Sequence, residues 1–281
     1  MKPCTFEMRG PTELIEALDL LEHHGEEARL IAGGQSLVPM MNLRMATPAI
    51  LIDLNNVDGL SGVAHDGNMI RIGAMTRQQT LLNDPLIRQH APLVAEAVRH
   101  VGHFSTRSRG TIGGSLANAD PSSELSLVAV TLGAELTIRG PKQATRTVAA
   151  HEFFHGALKT ALASNEILTE ITIETASHGS KIAFREHARR HGDFGIVAAA
   201  AQVSPGPSRL RVGLGAVGPV PKLCSRIQDA FRRGKLSAEL NDLIAAEIND
   251  IEVLSDVHTS ADYRRRLAAV CLADCIRELV A

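Results

Sequence analysis

The reading turns on two short stretches, Ile31-Ala32-Gly33-Gly34-Gln35-Ser36-Leu37 and Thr111-Ile112-Gly113-Gly114-Ser115. In the first, the apolar run Ala28–Ala32 predicts a strand that meets two glycines and then a helix around residues 37–44. Glycines without side chains let backbone N–H groups approach an anion, a serine adds a hydroxyl donor, and the helix beyond presents its positive end. Alone, a Gly-Gly bend is more often only a turn. The second stretch repeats the chemistry, with a hydroxyl residue, two glycines and another hydroxyl residue. Two such bends could grip the adjoining phosphates of a dinucleotide with neutral donors.

Around these stretches the pattern alternates between strand and helix. Strands are predicted near 4–6, at 50–53, 69–73, 135–139 and 167–173, and helices over 12–21, 77–82 with Thr76 as cap, 92–101 and 125–132. A helical stretch is expected near 148–156. Residues 102–123 show no sustained period, and a long irregular segment inside a domain is usually functional or disordered. Downstream, 181–187, 196–203 and 210–217 read as antiparallel strands, with Ser204-Pro205-Gly206-Pro207 as a hairpin connection. Helices are expected over 227–233, 238–247 and 261–280. A boundary near 177–181 separates a mixed α/β domain, residues 1–177, from a smaller α+β domain, residues 178–281.

Composition excludes several classes. The 281 residues are 44% hydrophobic, enough for a sizeable core, and Lys+Arg 29 against Asp+Glu 31 provides no basic field for nucleic acid. Cys4, Cys224, Cys271 and Cys275 include no C-x-x-C pair, so any iron–sulfur centre must come from another chain. There is no H-E-x-x-H, Walker or G-x-S-x-G motif, and no residue is assigned a catalytic or metal-binding role. The start, Met1-Lys2-Pro3-Cys4-Thr5-Phe6-Glu7, lacks an apolar signal stretch and no run could span a bilayer, which implies a cytoplasmic protein. Gly213-Leu214-Gly215-Ala216-Val217-Gly218 matches G-x-G-x-x-G, but Pro219 and Pro221 follow where a Rossmann unit needs a helix. It reads instead as a strand with tightly packed neighbours.

Taken together, Ala32-Gly33-Gly34-Gln35-Ser36, Thr111-Ile112-Gly113-Gly114-Ser115 and Ala117-Asn118-Ala119-Asp120-Pro121 resemble the FAD subunits of the xanthine dehydrogenase and carbon monoxide dehydrogenase family. Glu166-Ile167-Leu168, Phe184-Arg185 and Arg189-Arg190-His191-Gly192-Asp193-Phe194 extend the resemblance along the chain. It implies an α+β fold: a two-subdomain FAD domain of the vanillyl-alcohol-oxidase type, then a smaller domain with an antiparallel sheet and C-terminal helices. It also implies that Ala32, Gly33, Gly34, Gln35, Ser36 and Leu37, with Thr111, Gly113, Gly114 and Ser115, wrap the FAD pyrophosphate. Asp120 and Glu124 would contact the sugar or ribityl part, although Asp120 could equally satisfy turn amides. Leu168 would lie against the flavin, with Arg185, Asp193 and Phe194 near its ring. Gln35, Ser115 and Arg185 stand where His or Thr, Asn and Lys are common in the family.

The resemblance further implies a complex, a dimer of heterotrimers, with a large molybdopterin subunit and a small subunit carrying two 2Fe–2S clusters. The FAD chain would pass electrons to an external acceptor. Two rivals stand beside this reading: a self-contained flavin oxidase or reductase, with His103 as a conceivable base or attachment point, and a non-enzymatic dinucleotide-binding module.

Overall fold

The structure, a computed structural model, describes residues 2–205 and 209–280. Three sheets organise the chain. The first is parallel, in the order Glu7–Arg9, Ile50–Asp53, Ala28–Ile31. The helix Leu14–His24 covers it through Ala17, Leu18 and Leu21. The second is antiparallel, in the order Val63–Asp66, Met69–Gly73, Ile167–Glu174, Glu135–Arg139, Thr145–Ala149. Its long central strand alternates buried and less buried residues, as a half-buried strand should. The third, also antiparallel, runs Lys181–His187, Val197–Ser204, Arg209–Gly215, Lys222–Leu223.

The third sheet is covered on both faces. Val197, Ala199 and Ala201 face the C-terminal helix Ala261–Val280, while Ala198 and Ala200 join the core built around the second sheet. Alanine is a weak strand former, but small side chains let helices pack closely on either side. The helix Glu124–Leu132 lies against Arg209–Gly215, and a β-carbon at Gly213 would stand 3.1 Å from Leu127 Cδ1. The G-x-G-x-x-G run is therefore a strand fitted against a helix, as its prolines imply.

Several expectations are corrected. The first strand is Glu7–Arg9, beyond the predicted 4–6. Arg77, not Thr76, is the N-cap of Gln78–Asn83, because the Thr76 hydroxyl is held between Gly62 N–H at 2.9 Å and Gly62 O at 3.0 Å. The helix predicted over 92–101 is Pro92–Val98, preceded by a separate Pro85–His90 capped by Asp84. Residues 148–156 hold the end of a strand, the four-residue helix Ala150–Phe153 and a short strand. The irregular stretch contains two short helices, Phe104–Arg109 and Ile112–Asn118. The hairpin Val197–Ser204 to Arg209–Gly215 is present, although Gly206 and Pro207 of its turn lie outside the described residues.

The helix-to-strand contact makes Gly213 a stability position. Thr131, the nearest group to a new methyl, already donates its hydroxyl to Leu127 O at 2.8 Å and cannot swing away freely. Gly213→Ala should cost about 1–3 kcal/mol through overpacking, read as a Tm several degrees lower in thermal unfolding, with an unchanged Tm refuting the tight contact.

Candidate functional site: a dinucleotide cradle between two glycine bends

The two bends meet. A β-carbon on Gly33 would collide with the Arg109 carbonyl and stand 2.7 Å from Gly110 Cα; one on Gly114 would be 3.4 Å from Ala32 Cβ. Only glycine permits this approach. A polar brace holds the bends from behind: Asn55 Nδ2 donates to Ala32 O at 3.0 Å, Arg77 Nη2 donates to Asn55 Oδ1 at 2.7 Å, and Arg77 Nη1 donates to Arg109 O. The first bend also folds on itself, with Gln35 Nε2 donating to Gly33 O at 3.0 Å.

The bends divide the chemistry unequally. Among the described residues, the N–H groups of Gly33, Gly34, Gln35 and Ser36 find no acceptor in the chain. Gly33 is buried, Gly34 half-buried and Gln35 and Ser36 exposed, and four free donors in succession, in a bend where Gly34 has φ +69°, can make a nest for an anion. The second bend has mostly spent its donors. Ile112 N–H goes to Thr76 O at 3.1 Å, Gly113 N–H to Ala74 O at 2.8 Å, Gly114 N–H to Thr111 Oγ1 at 3.0 Å and Ser115 N–H to Thr111 O at 3.1 Å. Gly113 serves packing, because a β-carbon there would be 2.7 Å from Ala74 O. The expectation of two equivalent backbone cradles is thus corrected. The second bend offers Thr111 N–H, the Thr111 and Ser115 hydroxyls and close approach.

Between the bends opens a cavity of about 930 Å³, within the range of cofactor sites. Its wall includes Ala32, Gly33, Gly34, Gln35, Ser36, Leu37, Thr111, Gly113, Gly114, Ser115, Asp120, Glu124, Leu168, Asp193 and Phe194. The Ser115 hydroxyl is 2.9 Å from that of Ser123, the N-cap of helix Glu124–Leu132, and the Ser123 hydroxyl accepts from Ser126 N–H at 3.1 Å. This chain of hydroxyls fixes Glu124 relative to the second bend. Asp120 Oδ1 accepts from Ser122 N–H at 2.9 Å, so one oxygen serves the turn. Leu168 is buried on the strand Ile167–Glu174 beside a register shift. Phe194, 76% exposed, presents its ring at the cavity wall.

Arg185 is the exception and a second correction. Its guanidinium pairs with Glu278 of the C-terminal helix and donates to Phe184 O at 3.0 Å, outside the cavity wall. The cause is strand parity. Arg185 shares the face of Ala183, which lies in the C-terminal core, whereas Phe184 joins the other core. His103 abuts Gly192, whose β-carbon would be 2.8 Å from His103 Nδ1, and is not part of the cavity wall.

Other wall residues carried no sequence signal. Arg264, side chain 5% exposed, donates to Ile196 O at 2.7 Å, Ala216 O at 2.6 Å and Asp256 Oδ2 at 2.6 Å. It ties the Gly192–Ile196 loop to the turn at Asp256, His258 and Thr259, all in the wall. The His258 N–H, burial's opposition notwithstanding, joins Arg264 in holding the Asp256 carboxyl below the usual range. Gln78 Oε1 and Arg264 Nε are buried without hydrogen-bond partners among the described residues. A backbone nest and a glycine-lined space of this volume fit a dinucleotide such as FAD.

The comparisons give this cradle its class. Residues 5–174 match the family described as the FAD binding domain in molybdopterin dehydrogenase, and residues 182–279 match the CO dehydrogenase flavoprotein C-terminal domain. The chain belongs to this family: it is an FAD-binding medium subunit of the molybdenum hydroxylases. It is 34% identical over 273 residues to the caffeine dehydrogenase subunit beta of Pseudomonas sp. (strain CBB1), covering 96% of this chain and 92% of the relative. It is 33% identical over 276 residues to the carbon monoxide dehydrogenase medium chain of Hydrogenophaga pseudoflava, covering 95% and 94%. Among solved structures, carbon monoxide dehydrogenase from H. pseudoflava superposes with TM-score 0.93 at 32% identity, covering 100% of this chain and 99% of the other. Quinoline 2-oxidoreductase from Pseudomonas putida 86 gives 0.91 at 33% identity, covering 99% and 98%. These relatives are subunits of oxidoreductases, and the two-domain fold is theirs.

The meeting of the bends sets a sharp expectation. Gly33→Ala should force them apart and weaken FAD binding by about tenfold or more, roughly 1.4 kcal/mol, with the far-ultraviolet spectrum unchanged. Gly114→Asp adds a carboxylate beside the phosphates and should do the same by repulsion. Flavin content measured after gel filtration checks both, and wild-type content in either variant would refute the placement.

Proposed function

We propose that this chain passes electrons from iron–sulfur clusters of a partner subunit, through FAD held between the two glycine bends, to an external acceptor. The observation that carries the reading is the continuous wall joining the free N–H nest at residues 33–36 to the Asp193-Phe194 loop. FAD, when bound, accepts electrons from a reduced carrier and releases them to an oxidant. The chain's residues do the rest. N–H groups 33–36 would hold the diphosphate, with Thr111 and Ser115 hydroxyls on its other side. Asp120 and Glu124 would accept from the sugar or ribityl hydroxyls, while Leu168 and Phe194 would exclude water from the ring. Arg185 takes no part.

The partners follow from what the chain lacks in chemistry of its own. Cys224, Cys271 and Cys275 are buried, and burial pushes all three thiols up, Cys271 to about 12. They are core thiols rather than cluster ligands. Clusters would come from a small iron–sulfur subunit, and hydroxylation from a large molybdopterin subunit in a dimer of heterotrimers, located in the cytoplasm. Among the described residues no helix is long and apolar enough to cross a membrane.

Anaerobic reduction separates this reading from a self-contained flavoenzyme. In the purified chain, bound flavin should stay oxidised with the complex's substrate and be reduced only by a chemical reductant. In the assembled complex the same substrate should bleach the flavin band within turnover time. Direct bleaching of the isolated chain by substrate would overturn the relay.

A further inference from the structure

One arginine is shared by three segments that meet at the cavity. Arg264, in the first turn of the helix Ala261–Val280, has a side chain only 5% exposed. Its Nη1 donates to Ile196 O at 2.7 Å and to Ala216 O at 2.6 Å, and its Nη2 donates to Asp256 Oδ2 at 2.6 Å. Ile196 ends the loop that carries Asp193 and Phe194 into the wall. Asp256 opens the turn that carries His258, and its other oxygen accepts from His258 N–H at 2.7 Å and Thr259 N–H at 2.9 Å. Loop and turn also approach each other directly, with Arg189 Nη1 3.5 Å from His258 Nδ1.

The third acceptor reaches across the domain boundary. Ala216 is buried in a left-handed conformation, φ +61°, that a residue with a β-carbon seldom adopts. Its N–H donates to Pro121 O at 3.0 Å in the first domain, while its C=O receives Arg264. Pro121 lies between Asp120 and Ser122, both in the cavity wall, in the turn before the helix Glu124–Leu132. The G-x-G-x-x-G run thus has a second use at its fourth residue, which relays Arg264 to the part of the wall built by the first domain. One guanidinium fixes loop, turn and first-domain wall relative to one another. A lysine could not, because an ammonium on a flexible stem lacks the planar fork that spans acceptors on separate segments. Burying an ion is costly even when it is paired, so segments that merely needed covering would be served by an apolar side chain.

We infer that Arg264 is a positioning residue for the flavin end of the cavity: it sets the surroundings of the ring, while the N–H nest at residues 33–36 sets the hold on the diphosphate. It acts through the segments it bonds. The inference rests on FAD occupying the cavity with its ring toward the Asp193-Phe194 loop. Asp256, its side chain 49% exposed, is the handle by which the clamp can be loosened without opening the core. Asparagine there keeps an oxygen for the turn amides and loses the charge that pairs with Arg264.

The experiment compares the full chain with Arg264→Lys and Asp256→Asn. FAD dissociation constants come from titration of the apoprotein. The ring's surroundings are read, at saturating FAD, by visible circular dichroism and by iodide quenching of flavin fluorescence. Both variants should bind FAD within about threefold of the wild type, because the nest is intact. Their bound flavin should show altered visible dichroism and steeper quenching, more so in Arg264→Lys. A purely structural arginine would give the reverse: a lower Tm and weaker FAD binding, with wild-type dichroism and quenching once FAD is saturating. That pattern would overturn the inference. So would wild-type spectra in Asp256→Asn, which carries the test if Arg264→Lys does not fold. A wild-type chain that binds no FAD would instead remove the cofactor reading on which the inference stands.

Discussion

Everything at the site depends on the absence of two β-carbons where residues 32–33 meet residues 109–114. Contact between distant loops is costly in chain entropy, and it persists here because backbone fits backbone at Gly33 and because Asn55 and Arg77 bond carbonyls of both bends. The contact creates the nest indirectly. With Ala32 O and Gly33 O engaged, the N–H groups of residues 33–36, in the cavity wall, find no acceptor among the described residues. A diphosphate is the natural complement of that vacancy, since it offers many acceptors in a short span.

The sequence made the bends visible because glycine pairs mark steric demands that no other residue meets. It could not say which demand each glycine answers. Gly33 permits loop-to-loop contact, Gly34 a left-handed turn, and Gly113 the seating of a helix on Ala74. All look alike in one dimension. Strands such as Ile50–Asp53, Met69–Gly73 and Glu135–Arg139 were legible to the residue from apolar runs bounded by polar ones. Residues 145–156 were not, because a strand and one helical turn share apolar residues too few to define a period.

Two further failures have physical causes. Arg185 was placed at the flavin by motif position, but a strand alternates faces, and a shift of one residue decides which core a side chain meets. Glu186, its neighbour, is the inward residue. Arg264, Asp256 and His258 reach the wall from the last quarter of the chain through tertiary contact alone. Their side chains bond mainly to carbonyls and turn amides, which leave no pattern in sequence.

The helix Glu124–Leu132 belongs by chain order to the first domain, yet it packs against strands of the second, Val197–Ser204 and Arg209–Gly215. Phe184, Ala198 and Ala200 of the second domain lie in the first domain's core. The stretch 175–181 therefore looks like a linker without being a place to divide the protein. Either half produced alone would carry an apolar face shaped for the other, a surface that invites self-association. Recombining halves from different relatives would have to preserve the whole seam, down to the alanines that let the layers close.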